Sequence, residues 1–162
     1  MKKRTSTNKI ILHCAATPEG KDFKASDIRK WHLNQGWEDI GYHFIIDLDG
    51  KVENGRNEEM VGAHTSGYNN NSIGICYVGG VAKDGKTAKD TRTDAQKKSM
   101  YELVNKLLTK YKLKIENVYC HNSFNNAKAC PSFKLDVFKK EYDDWIKTQH
   151  KNICPYCGRE IL

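Results

Sequence analysis

The chain has 162 residues, 38% of them hydrophobic and 29% charged, with a formal net charge of +7. That length suits one domain, and the mixture excludes disordered and fibrous classes; no apolar run approaches the ~20 residues needed to span a bilayer. The positive charge favours polyanionic partners (nucleic acid, anionic lipid, an acidic wall polymer) without choosing among them.

The basic start, Met1 to Asn8, is followed only by the short apolar run Ile10, Ile11, Leu12, too brief for a signal-peptide core. The expectation is a cytoplasmic protein without membrane insertion. In that compartment the six cysteines (Cys14, Cys76, Cys120, Cys130, Cys154, Cys157) read as thiols or metal ligands rather than disulfides.

Lys9 to Cys14 reads as a buried strand ending near His13, closed by the loop Thr17-Pro18-Glu19-Gly20. Ser26 is an expected N-cap for a helix over Asp27 to Gln35, stopped at Gly36. Tyr42 to Leu48 is rich in β formers, and Asp49-Gly50 before Lys51-Val52-Glu53 predicts a two-residue hairpin. Gly55 to Asn71 is polar, and Ser72 to Val78 reads as another buried strand. Thr93-Asp-Ala-Gln96 matches a capping box, with Leu103, Val104, Leu107, Leu108 and Tyr111 at helical spacing, so a long amphipathic helix is predicted over Asp94 to Tyr111. Val118 to His121 would be a short strand and Leu135 to Thr148 a last helix. Strands interleaved with helices give an α/β class, a mixed central sheet flanked by helices in one domain over residues 1–149, with a tail over 150–162.

His13 and His121 each stand near the end of a predicted strand, and Cys130 follows in Lys128-Ala129-Cys130-Pro131. A catalytic zinc takes three such ligands and leaves a fourth position open. Period-two alternation turns Cys14 and Cys120 the other way. By spacing alone this is a weak motif, since a lone strand histidine is more often structural.

The surrounding segments carry more. Ile10-Ile-Leu-His13-Cys-Ala15, Gly41-Tyr42-His43-Phe-Ile-Ile46, Val61-Gly-Ala-His64-Thr-Ser-Gly-Tyr-Asn-Asn-Asn-Ser-Ile-Gly74, Val78-Gly-Gly80, His121, and Lys128-Ala-Cys130-Pro-Ser-Phe133 stand in one order over about residues 9 to 146. They resemble the type 2 N-acetylmuramoyl-L-alanine amidase and peptidoglycan recognition protein family, and within it the short amidase-lysozymes, or endolysins, of T-odd coliphages. The resemblance implies that family's fold and hydrolysis of the amide between N-acetylmuramic acid and L-alanine in bacterial peptidoglycan. It implies zinc on His13, His121 and Cys130, and catalytic roles for Tyr42 and Lys128. An endolysin without a signal peptide would reach the wall by holin-type release.

His43 reads as structural by alternation. His64, Asn71 and Arg56 lie in polar loop sequence, where substrate contact and plain loop architecture are both open. Cys154-Pro-Tyr-Cys157, with His150, resembles half of a structural zinc site, at most three ligands, which leaves open completion by a second chain at a dimer contact, a missing partner knuckle, or a mobile tail with no metal at all. A second reading of the whole chain is a non-catalytic peptidoglycan-binding module; the thiolate at Cys130 weighs against it. Coliphage relatives also bind their RNA polymerase, but nothing in this sequence supports that partner, nor does any motif support nucleic acid.

Overall fold

The computed structural model describes residues 1–151, for Lys151 the backbone alone. The tail with Cys154 and Cys157 lies outside them. The elements are β1 (Lys9–Cys14), β2 (Thr17–Pro18), α1 (Ala25–Asn34), β3 (Phe44–Ile46), β4 (Val52–Asn54), β5 (Ser72–Tyr77), β6 (Gly80–Val81), α2 (Asp94–Tyr111), β7 (Val118–Cys120) and α3 (Leu135–Lys151).

The main sheet has the order β4-β3-β5-β1-β7, parallel except for the antiparallel edge strand β4. Its three central strands are covered on both faces, which is why β1 and β5 are nearly unbroken runs of buried residues. One face (Ile10, Leu12, Ile75, Tyr77, Val118, Cys120) packs against Met100, Val104 and Leu107 of α2 and Phe138 of α3. On the other face Ile45 clusters with Ile28 of α1, Ile40 and Val78. Cys14 and Cys120 belong to the first core, as strand alternation requires. Among the described residues, no helix is long and apolar enough to cross a membrane.

The expected helix over Asp94 to Tyr111 forms with its capping box complete: Gln96 N–H donates to Thr93 Oγ1 and Thr93 N–H to Gln96 Oε1, both 3.0 Å. Elsewhere local chemistry shifts the boundaries. α1 starts at Ala25, one turn-position before the Ser26 cap, because carboxylates take the free amides: Asp27 Oδ2 accepts from Lys24 N–H and Glu53 Oε1 from Ala25 N–H, each at 2.8 Å. The hairpin between β3 and β4 has a three-residue turn, Leu48-Asp49-Gly50, since Asp47 N–H still pairs with Lys51 O (2.9 Å) and Gly50 takes a left-handed φ of 85°. The small parallel pair β2–β6 was not expected from the sequence.

Candidate metal centre and groove

β1 and β7 are neighbours with Leu12 opposite Cys120. One residue further along each chain stand His13 and His121, at the carboxyl ends of parallel strands, where open α/β sheets place their ligands. Their ring centroids are 4.7 Å apart. Cys130 comes in from the loop before α3, anchored by Asn122 N–H to Cys130 O (2.9 Å) and by Tyr77 Oη–H to Pro131 O (2.8 Å). Its Sγ lies 3.6 Å from His13 Nδ1 and receives the Cys14 backbone N–H at 3.3 Å. One ligand atom from each of His13, His121 and Cys130 lies within 4.8 Å of the others.

The donors suit a metal ion. Burial, then the neighbouring His121 and His43, hold the His13 imidazole far below its ordinary pKa, and burial followed by the Lys128 charge lowers His121. Both rings are therefore neutral at pH 7, the form that ligates. The Cys130 thiol is raised by its hydrogen bond to Cys14 and by burial, while that same bond brings Cys14 down to about 7. A cation held among the three ligand atoms would keep Cys130 as the thiolate, since a coordinating thiol is deprotonated outright.

Two cavities flank these residues and share His121 and Lys128. One, about 430 Å³, is walled by Trp37, Thr65, Asn69 and Asn125. The other, about 350 Å³, is walled by Tyr42, Gly80, Cys130 and Ser132. Together they form a groove passing the cluster. Tyr42 holds its ring 5.1 Å from that of His13 and tilted by 51° to it, and burial keeps its phenol well above its usual pKa, so it carries its proton at neutral pH. Lys128 is exposed on the rim. A larger cavity, about 810 Å³, lies elsewhere, between the N-terminal segment and Tyr111, and contains none of these residues.

The three loop residues singled out in the sequence fall differently. Arg56 does not face the groove: its guanidinium is buried and donates to the carbonyls of Ile40 (2.8 Å), Val61 (2.8 Å) and Asp39 (3.1 Å), so it ties down the loops around Tyr42. Asn71 sits at the amino end of β5, its carbonyl taking Asn8 N–H, at the far end of the sheet from His13. Of the run Asn69 to Asn71 it is Asn69 that lines the groove, and its Oδ1 accepts the backbone N–H groups of His64 and Thr65, both at 2.9 Å. His64 borders the groove but turns its ring inward, with Nδ1 2.9 Å from His13 Nε2. His150 is exposed near the end of α3. His43 is structural as expected, accepting Gly74 N–H at Nδ1 and facing Met60 O from Nε2. Trp37 and Thr65 went unnoticed in the sequence; only the run Gly36-Trp37 and the position after His64 marked them.

Comparison with known proteins agrees in sequence and in shape. The family model described as N-acetylmuramoyl-L-alanine amidase matches residues 3–133. The endolysin of Escherichia phage T7 is 47% identical over 134 residues, covering 83% of this chain and 86% of that protein. The endolysin of Enterobacteria phage T3 is 46% identical with the same coverage. Among solved structures, the amidase LysCS from Clostridium intestinale superposes with a TM-score of 0.74 at 26% identity, covering 88% of this chain and 87% of that one.

Proposed function

The chain belongs to the N-acetylmuramoyl-L-alanine amidase family, and from that premise we propose how its own residues carry out the reaction. It is an amidase of the endolysin type, cleaving the bond between N-acetylmuramic acid and L-alanine in peptidoglycan. The observation that carries the assignment is the convergence of His13, His121 and Cys130 beside Tyr42 and Lys128 in one groove.

In this reading His13, His121 and Cys130 hold zinc, with the catalytic unit contained in residues 1–149. When bound, zinc lowers the pKa of water from 15.7 to roughly 7 and polarises a carbonyl. The groove's two lobes seat the sugar side and the peptide side of the scissile amide, so that its carbonyl lies over the cluster. Lys128 faces the negative charge that grows on the amide oxygen, a contribution worth about 3 kcal/mol per donor. Tyr42 holds a phenolic hydrogen on the same side and gives it as a hydrogen bond to the reacting atoms, orienting the attacking water or the departing amine. Neutral His13 and His121 keep the site from repelling the metal.

The test is metal analysis together with release of stem peptides from purified sacculi, for the wild type and Cys130→Ser. The wild type carries zinc and releases peptides, and Cys130→Ser loses both. A wild type that releases peptides without zinc overturns the metal assignment.

A further inference from the structure

His13 is fully buried and its ring has two faces of contact: Nδ1 toward Cys130 and Nε2 toward His64 and Thr65. Which nitrogen carries the hydrogen decides whether Nδ1 has a lone pair to offer. The hydrogen count of the neighbouring groups resolves it.

Ser72 Oγ lies 2.8 Å from Tyr68 O, an acceptor only, so the single Ser72 hydroxyl hydrogen is committed there. The 3.3 Å contact between Ser72 Oγ and His64 Nε2 therefore requires the hydrogen on His64 Nε2. A neutral imidazole has one N–H, so His64 Nδ1 is bare. It stands 2.9 Å from His13 Nε2, which must then donate, leaving His13 Nδ1 bare toward Cys130 Sγ. Thr65 Oγ1, 3.3 Å from His13 Nε2 and 3.1 Å from His64 Nδ1, sits beside this contact and under the same assignment accepts a second, longer branch of the His13 Nε2–H. The opposite tautomer of His13 would set two lone pairs against each other at 2.9 Å.

The seat of His64 is cut to its ring. A Cβ on Gly62 or Gly74 would stand 2.6 Å from the imidazole, and Asn69 holds the His64 and Thr65 backbone amides.

We propose that His64, backed by Ser72, is a positioning residue that fixes the tautomer of His13 and so presents His13 Nδ1 as a ligand. The proposal rests on the reading of His13, His121 and Cys130 as the metal site. Partners of this kind to a ligating histidine typically matter 10–100-fold in metal affinity.

The experiment measures zinc affinity by chelator competition for wild type, His64→Ala, His64→Asn and Cys130→Ser, with long-range 15N–1H NMR on the metal-free wild type. The expected result is His13 protonated on Nε2, a loss of about 10–100-fold in affinity for His64→Ala, and near-wild-type affinity for His64→Asn, whose Oδ1 replaces the Nδ1 acceptor. His13 protonated on Nδ1, or His64→Ala binding zinc as the wild type does, overturns the proposal. If His64→Ala does not fold, the His64→Asn affinity and the wild-type tautomer decide it. Unchanged affinity in Cys130→Ser is a separate failure, of the metal site itself, and takes the proposal with it.

Discussion

His13, in β1, and His121, the first residue of the turn that follows β7, each stand one residue beyond the Leu12–Cys120 pair of neighbouring parallel strands, with ring centroids 4.7 Å apart. Their approach is thus set by backbone pairing rather than by loop conformation. Cys130, in contrast, depends on a loop, and its nearest stabilising donor is the amide of Cys14.

That difference separates two cysteines whose sulfurs are close neighbours. Cys14→Ala keeps the backbone amide that serves Cys130 and loses a small buried side chain together with its thiol hydrogen bond to Cys130. It should cost about 1 kcal/mol of stability, as for a modest core truncation, and leave zinc content and peptide release near the wild-type level. Urea unfolding and metal analysis check it; loss of zinc would show that the Cys14 thiol itself is required.

Tyr42→Phe and Lys128→Ala should fold normally, because Lys128 is exposed and the Tyr42 ring is retained. Tyr42→Phe should lower kcat by about 10²–10⁴, the range for a lost proton-transfer group. Lys128→Ala should lower it by about 10² or more, as for one lost donor to an oxyanion. Steady-state kinetics on soluble muropeptides gives both numbers; a change confined to KM would place either residue in binding instead.

Arg56→Lys should be costly although it keeps the charge. A lysine cannot reach three carbonyls held by a planar guanidinium, and buried acceptors left unmet cost about 1–3 kcal/mol each. The expected outcome is a clearly lower Tm with the activity of the folded fraction largely retained. A normal Tm with weakened substrate binding would return Arg56 to the groove.

His43 supplies a pH dependence. Burial is the main cause that brings its pKa down to about 4; Arg4 and Arg56 push the same way, while Met60 O and Glu58 oppose. Between the ordinary value of 6.5 and 4 the unfolded chain binds the extra proton, so stability is complete above 6.5 and is lost as pH falls through this window. The full shift corresponds to about 3 kcal/mol. The difference in unfolding free energy between wild type and His43→Asn, measured at pH 7 and at pH 4.5, should shrink at the lower pH. A constant difference would mean that His43 does not titrate there.

The elements that were legible in the sequence are those whose signals are local. Thr93 with Gln96 marks the start of α2, and the runs of β1 and β5 announce buried strands. The family segments pointed to the three residues that converge here. What escaped depends on distant partners. Arg56 reads as a loop cation until Ile40, Val61 and Asp39 are folded around it. Asn69 and Asn71 are indistinguishable in a row of three asparagines until the turn before β5 sends one to the groove and the other to the far end of the sheet. Ser26 lost its capping role to Glu53, 27 residues away.

Loaded with the proposed metal, the cluster would also tie folding to metal supply. Its members come from positions 13, 121 and 130, so no fragment of the growing chain owns a site until nearly the whole catalytic unit has been made and folded. If these residues hold zinc as proposed, a nascent or unfolded chain competes poorly for the ion, and the free ion favours the finished fold by mass action, about 2.7 kcal/mol at a hundredfold excess over its dissociation constant. With zinc on these three residues, the concentration of the free ion would become a dial on how long the protein survives.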